Sequence, residues 1–278
     1  MLLSERNEHY RDKNIVFYEE GHIYEVFGKR GFTSVTTWIH SMFSKFNADL
    51  IITRMMKGKN WNTSNKYWGK TPDEIKNGWS AAASEASSLG TLLHYQIECF
   101  CNNNRLFFNY SNGDLLRVFV LERLINSIKD TEEIALYKTK EWNYFLNFIR
   151  DNKNIVPYRT EWVVYDEEFK LSGSIDMVYK NEDGTYSIYD WKRTKAIEKE
   201  NNWRKTCIYR EIKIPDCNYY HYSIQLNTYK YILEKHYGIH ISSMYLVRLH
   251  PNGENYEIHE VHNMQDQLYC LLKKLKCN

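Results

Sequence analysis

Two aspartates and a lysine stand where a sheet ought to be apolar. In SGSIDMVYKNEDGTYSIYDWKRTK, residues 172–195, two runs rich in Ile, Val, Tyr and Trp flank Glu182-Asp183-Gly184. That tripeptide suits a three-residue hairpin loop with glycine in the left-handed position. The loop sets Asn181 against Thr185 and, counting outward, Asp176 against Asp190. Directly opposed residues have Cβ atoms about 4.5–5.5 Å apart, and like charges there destabilise a sheet. The pair therefore calls for a cation. Strand alternation puts Lys192 on the face of Asp190 and Trp191 on the other. A solvated surface hairpin could carry the same charges, but Ile175, Val178, Ile188 and Trp191 around them describe a covered sheet.

Two helical stretches add polar pairs one turn apart: His94 with Glu98 in SLGTLLHYQIECF, and Gln225 with Tyr229 in YHYSIQLNTYKYIL. Glu161 interrupts a strand pattern of Trp, Val and Tyr in YRTEWVVY. Taken singly, each is more often an ordinary surface or core polar residue. Together, carboxylates and a histidine suit Mg²⁺ or Mn²⁺ better than structural zinc. A lysine beside such a cation can hold a water and offset charge as a phosphodiester is hydrolysed. The chemistry implied is metal-assisted phosphodiester cleavage.

The elements that must position these residues follow from periodicity. A small hairpin is expected at 15–18 and 22–27, then a helix beginning at Ser34 or Thr36. Helical signals cover 36–57, 72–103 and 113–151, the last broken, with Leu115, Leu116, Phe119, Val120, Leu124 and Ile128 at helix spacing. From Pro157 the period changes to two, giving strands at 158–166, 171–180 and 185–193. A helix at 219–237, strands at 242–250 and 255–262, and a helix from Met264 complete the chain. The order describes an α/β core preceded by a helical N-terminal region.

The 278 residues are read as one domain, with a hairpin and helical region over 1–155 and a catalytic core over 156–278. A net charge of only +2 does not by itself announce a nucleic-acid binder. The charge is unevenly spread, since residues 190–213 hold eight Lys or Arg against four acids, interleaved with Trp203 and Tyr209. Arg193, Lys195, Arg204 and Lys205 could meet phosphates there while the rings stack on bases; a solvated linker explains the segment equally well. Six cysteines lack C-x-x-C spacing, which argues against a zinc ribbon or a disulfide framework. With no signal-peptide pattern and no apolar run of membrane-spanning length, the expectation is an intracellular protein without a membrane partner.

The string G-x-I-D, thirteen residues, D-W-K, with an acidic strand residue before it and Q-x-x-x-Y on a helix after it, resembles the PD-(D/E)XK nuclease superfamily. G-T-L-L-H with Q-L-N-T-Y resembles its RecB-like branch, which includes mitochondrial genome-maintenance and phage or viral exonucleases. The resemblance implies a restriction-endonuclease-like core, a central mixed sheet flanked by helices. It makes Asp176 and Asp190 the principal metal ligands, His94 a further ligand, and the Trp191 carbonyl a completing one. Lys192 becomes the catalytic lysine, Glu161 the acid of the preceding strand, and Glu98 an outer acid. Gln225 and Tyr229 match the motif that positions the site and the nucleic-acid backbone. Some relatives hold an iron–sulfur cluster with a cysteine upstream of the His motif; none precedes Cys99 here, so no cluster is expected. The implied protein is a Mg²⁺-dependent DNA exonuclease of replication, recombination or repair, acting on single strands or free ends. The alternatives are a structure-specific endonuclease, an RNA-directed nuclease, or a degenerate nuclease fold that only binds. The presence of Asp176, Asp190 and Lys192 weighs against the last.

Overall fold

The computed structural model describes residues 2–102, 139–209 and 211–277. The helix spacing expected over 113–129 lies outside these residues. After a short helix α1 (Leu3–Arg6), strands β1 (Ile15–Tyr18) and β2 (Ile23–Val26) form an antiparallel hairpin. Strand β3 (Thr33–Ser34) runs into α2 (Val35–Ser41), where the Ser34 hydroxyl accepts from the Thr37 N–H as N-cap. The single helix expected over 36–57 is two helices. Asn47 accepts from the Leu50 N–H and so caps a fresh start, α3 (Ala48–Met56). The long helix α4 (Pro72–Asn102) begins on a proline, whose missing N–H costs nothing in the first turn.

Helix α5 (Lys140–Asp151), capped by Thr139, precedes β4 (Val156–Asp166), β5 (Leu171–Lys180) and β6 (Tyr186–Lys192). Then come α6 (Asn218–His236), β7 (Ile241–Arg248), β8 (Glu257–Glu260) and α7 (Gln265–Cys277). The expected hairpin register is the observed one, with Lys180 opposite Tyr186 and Met177 opposite Tyr189. Strand β7 runs parallel to β6, and α6 makes the crossover that a parallel pair requires.

One feature of the pairing opens the site. Strand β4 lies along the whole length of β5, so β3 and β6 must share the other edge of β5. β3 takes Leu171 and Ser172, β6 takes Met177 to Lys180, and residues 173–176 between them lie at a fork.

Both faces of the sheet are covered. Helices α2, α6 and α7 pack with Trp162, Val164, Ile188 and Leu246 on one side. Helices α4 and α5 pack with Met177, Tyr179, Tyr189, Trp191 and Val247 on the other. Each large side chain buried in these layers stabilises the fold by about 1.5–3 kcal/mol. The result is a mixed sheet flanked by helices, with a fork in its pairing at residues 173–176.

Candidate active site

At the fork, the Trp191 N–H donates to Asp176 Oδ2 at 2.9 Å, so a carboxylate receives a donor just past the last paired residues of the ladder. Asp190 is almost fully buried, and Lys192 Nζ lies 2.7 Å from its Oδ2. Lys192 is the main compensation this buried oxygen has among the described residues. Burial, with Asp176 adding to it, pushes the Asp190 carboxyl up to about 7 against the pull of Lys192. Burial would lower the Lys192 ammonium, but Asp190 and Asp176 outweigh it and hold the group charged. Lys192 also sits 4.4 Å from the centre of the Tyr222 ring on α6.

Helix α4 brings His94 to the same place. Its Nε2 lies 2.8 Å from the Trp191 carbonyl, and since a carbonyl only accepts, Nε2 carries the proton. The other nitrogen, Nδ1, lies 3.5 Å from Asp176 Oδ2 and 3.6 Å from Glu161 Oε1. Burial lowers the imidazole, yet Asp176 and Glu161 prevail and raise it to about 9.

Glu161 falls opposite Asp176, between the pairs Thr160–Met177 and Trp162–Ile175. It reaches the cluster with φ of 43°, a left-handed backbone that costs a non-glycine residue about 1–3 kcal/mol and concentrates at functional sites. The Ser174 hydroxyl donates to Glu161 Oε2 at 2.9 Å and fixes the carboxylate.

His94, Glu161 and Asp176 offer donor atoms that all lie within 4.8 Å of one another. One imidazole nitrogen among carboxylate oxygens fits a hard divalent cation. The His94 Nε2–H bond to a backbone carbonyl is the orienting contact such a ligand needs.

Glu161 joins His94 and Asp176 in the compact donor cluster, while Asp190 lies against Lys192 and the Trp191 carbonyl accepts from His94 Nε2. Glu98, one turn beyond His94, lines a cleft of about 510 Å³ together with Glu161, Ser174, Tyr24, Phe17 and His22. Burial and the nearby Glu161 raise its carboxyl.

The Q-x-x-x-Y pair lies behind the site. Tyr229 is buried, and a Cβ on Gly173 would meet its hydroxyl at 2.6 Å. Glycine at 173 is therefore what lets α6 seat Tyr229 against the fork. Gln225 donates to the Tyr229 hydroxyl at 3.3 Å. Buried in this way, Tyr229 can position the site but cannot touch a strand.

The cation-rich segment is less available than its composition suggests. Arg193 is held by Glu141 of α5 at 2.9 Å, so it ties β6 to the helix layer. Cys207, Ile212 and Ile214 are buried, and Tyr209 packs on the core near Lys274. Lys195, Trp203, Arg204 and Lys205 do remain exposed, Trp203 at 83%.

Ser174 and Tyr222 escaped the sequence reading, and Gly173 entered it only as a letter of the G-x-I-D string, since none of the three side chains carries a signal of its partner elsewhere in the chain.

The family model of the PD-(D/E)XK nuclease superfamily matches residues 67–277. The chain belongs to this superfamily. A solved structure from Eubacterium rectale, an exonuclease by assigned name, is similar at 14% identity, with a TM-score of 0.40, over 89% of this chain and 78% of that one. No curated protein matches the chain. Among the described residues no helix is long and apolar enough to cross a membrane.

Proposed function

We propose that the protein is a Mg²⁺- or Mn²⁺-dependent deoxyribonuclease, an exonuclease acting on single-stranded DNA or DNA ends. The observation that carries this reading is the convergence of His94, Glu161 and Asp176 within 4.8 Å beside a buried Asp190–Lys192 pair. In this reading the three clustered residues would hold the cation, which when bound would supply acidification of a water and neutralisation of phosphate charge. With its Nε2 proton engaged by the Trp191 carbonyl, His94 would offer Nδ1. Lys192, kept charged by Asp190, offers its N–H donors to a phosphate oxygen or to the attacking water. Tyr229 on Gly173 keeps the fork in shape from behind.

A preference for unpaired DNA is supported by the cleft beside the cluster. Phe17 and His22 line it, their rings 4.9 Å apart, and such faces accept a base only when it is free of its complement. The test compares end-labelled linear single strands, blunt duplex, closed single-stranded circles and RNA, each with Mg²⁺ or with excess chelator. Linear single strands should be degraded fastest and only with metal. Cleavage in chelator would overturn the metal requirement, efficient cutting of circles would make the enzyme an endonuclease, and faster cutting of RNA would reassign the substrate.

A further inference from the structure

Between α3 and α4 the chain reads KGKNWNTSNKYWGK, residues 57–70, with four lysines and no acid. Lys57, Lys59, Lys66 and Lys70 are all exposed, and among the described residues none is held in an ion pair. Of the acids near this segment in the chain, Asp49 pairs with Lys76 at 2.8 Å, Glu74 accepts from the Thr71 hydroxyl at 2.9 Å, and Asp73 stands in the first turn of α4 without an ion pair to any of the four lysines among the described residues.

Aromatic rings are interleaved with these cations. Trp61 and Trp68 lie 5.7 Å apart, Trp68 is 47% exposed, and Lys66 lies 4.6 Å from the centre of the Tyr67 ring. Tyr67 is fixed to α4, since Trp79 Nε1 donates to its hydroxyl at 2.7 Å. Exposed apolar groups gathered in one patch mark interaction surfaces.

Helix geometry connects this patch to the site. Trp79 and His94 belong to the same continuous helix, fifteen residues and so about 22 Å apart, and point within about 60° of each other. Along that sector stand Ala83, Ser87 and Gly90, and a Cβ on Gly90 would meet nothing within 4 Å. The path from the patch to the cluster is therefore free of large side chains on α4.

We propose that residues 57–70 form an anchoring surface for single-stranded nucleic acid, holding by phosphate and by base the strand whose scissile end lies at His94. Lysines without competing acids select a polyanion. Accessible indole faces select unpaired bases, which a duplex hides. The proposal rests on the nuclease reading and names the surface by which that site holds its substrate.

The test measures binding and cleavage separately. Binding of a long labelled single strand is followed by anisotropy in excess chelator, over a range of salt. The full chain is compared with a variant carrying Lys57→Glu, Lys59→Glu, Lys66→Glu and Lys70→Glu, and with Trp68→Ala. The lysine variant should bind at least about tenfold more weakly and lose roughly 3 from the salt slope, one increment of about 0.7 for each phosphate contact removed. Trp68→Ala should weaken the single strand about tenfold and leave duplex affinity unchanged. Cleavage of a trinucleotide with Mg²⁺, which reaches only the metal cluster, should be the same in all three proteins. Unchanged affinity and salt slope in the lysine variant would overturn the proposal, as would an equal loss of duplex binding in Trp68→Ala. If the unmodified chain cleaved nothing, the nuclease reading would fail, while the binding comparison would still decide the anchoring surface.

Discussion

The β5–β6 hairpin has two ends built from the same two strands in one register, and they treat polar groups in opposite ways. At the turn, polar groups satisfy one another within the hairpin and with Ser242 and Ser243 of the neighbouring strand β7. Asn181 donates to Thr185 Oγ1 at 2.9 Å, Asp183 accepts from the Thr185 N–H at 2.9 Å, and the Ser187 hydroxyl donates to Asn181 Oδ1 at 3.0 Å. At the fork, Asp176 and Asp190 are withdrawn from water; beside the Trp191 N–H and Lys192 of the same hairpin they meet His94 from α4 and the like-charged Glu161 from β4, and Lys192 in turn lies over the Tyr222 ring from α6. The turn end is built from hydrogen bonds among uncharged groups and one exposed carboxylate, Asp183. The fork carries desolvated charge and a left-handed glutamate, costs that concentrate at functional sites.

The sharpest way to break this comparison is to neutralise one residue at each end. Asp190→Asn and Lys192→Met should each lower kcat/KM on linear DNA by at least about 10²–10³, the usual loss when a positioned charge-stabilising group is removed. Asn181→Ala at the turn should leave kcat/KM within a few-fold. Comparable losses at both ends would mean that the fork is not the site.

A smaller effect tests whether Glu161 matters as a ligand. Ser174→Ala removes the hydroxyl that donates to Glu161 Oε2. Loss of an orienting contact behind a metal ligand weakens metal affinity by about 10–100-fold. Calorimetric titration with Mn²⁺ should show that loss, and saturating metal should restore most of the rate.

Glycines separate the two ends by stability. Gly184 at the turn has φ of 85°, whereas Gly173 at the fork is needed for its missing Cβ. Gly173→Ala should destabilise by about 1–3 kcal/mol through overpacking against Tyr229 and also lower activity per folded molecule. Gly184→Ala should cost about 1 kcal/mol through backbone strain and leave that activity intact. Urea unfolding and active-site titration distinguish the two.

The fork should also make metal-free stability sensitive to pH in one direction. His94 moves from an ordinary 6.5 to about 9 on folding, so the folded form binds more protons in that window. Its stabilisation is complete below 6.5 and is lost as pH rises through 9. Asp190 is raised from 3.8 to about 7, and the folded form again binds more protons between those values, so stability also falls as pH rises there. The melting temperature of chelated protein should therefore decline as pH rises across both windows, and His94→Gln should flatten the upper one. A melting temperature that rose from pH 7 to 9 would contradict the cluster's electrostatics.

What the sequence determined by itself is whatever local chemistry encodes. The loop Glu182-Asp183-Gly184 set the register that puts Asp176 toward Asp190, because a turn type and a period of two leave no freedom over so short a span. Most elements were legible for the same reason. The Asn47 cap that splits the 36–57 helix was a weaker local signal and was missed. Only the tertiary structure decided which donors converge. Glu161 joins His94 and Asp176 through a left-handed residue that no periodicity announces, and the Trp191 carbonyl goes to His94 because α4 happens to cross there. It also decided which cations are free: Arg193 is spent on Glu141, while the lysines of 57–70 stand clear. Composition counts charges, but burial and pairing, set by residues far apart in the chain, determine which of them a substrate can reach.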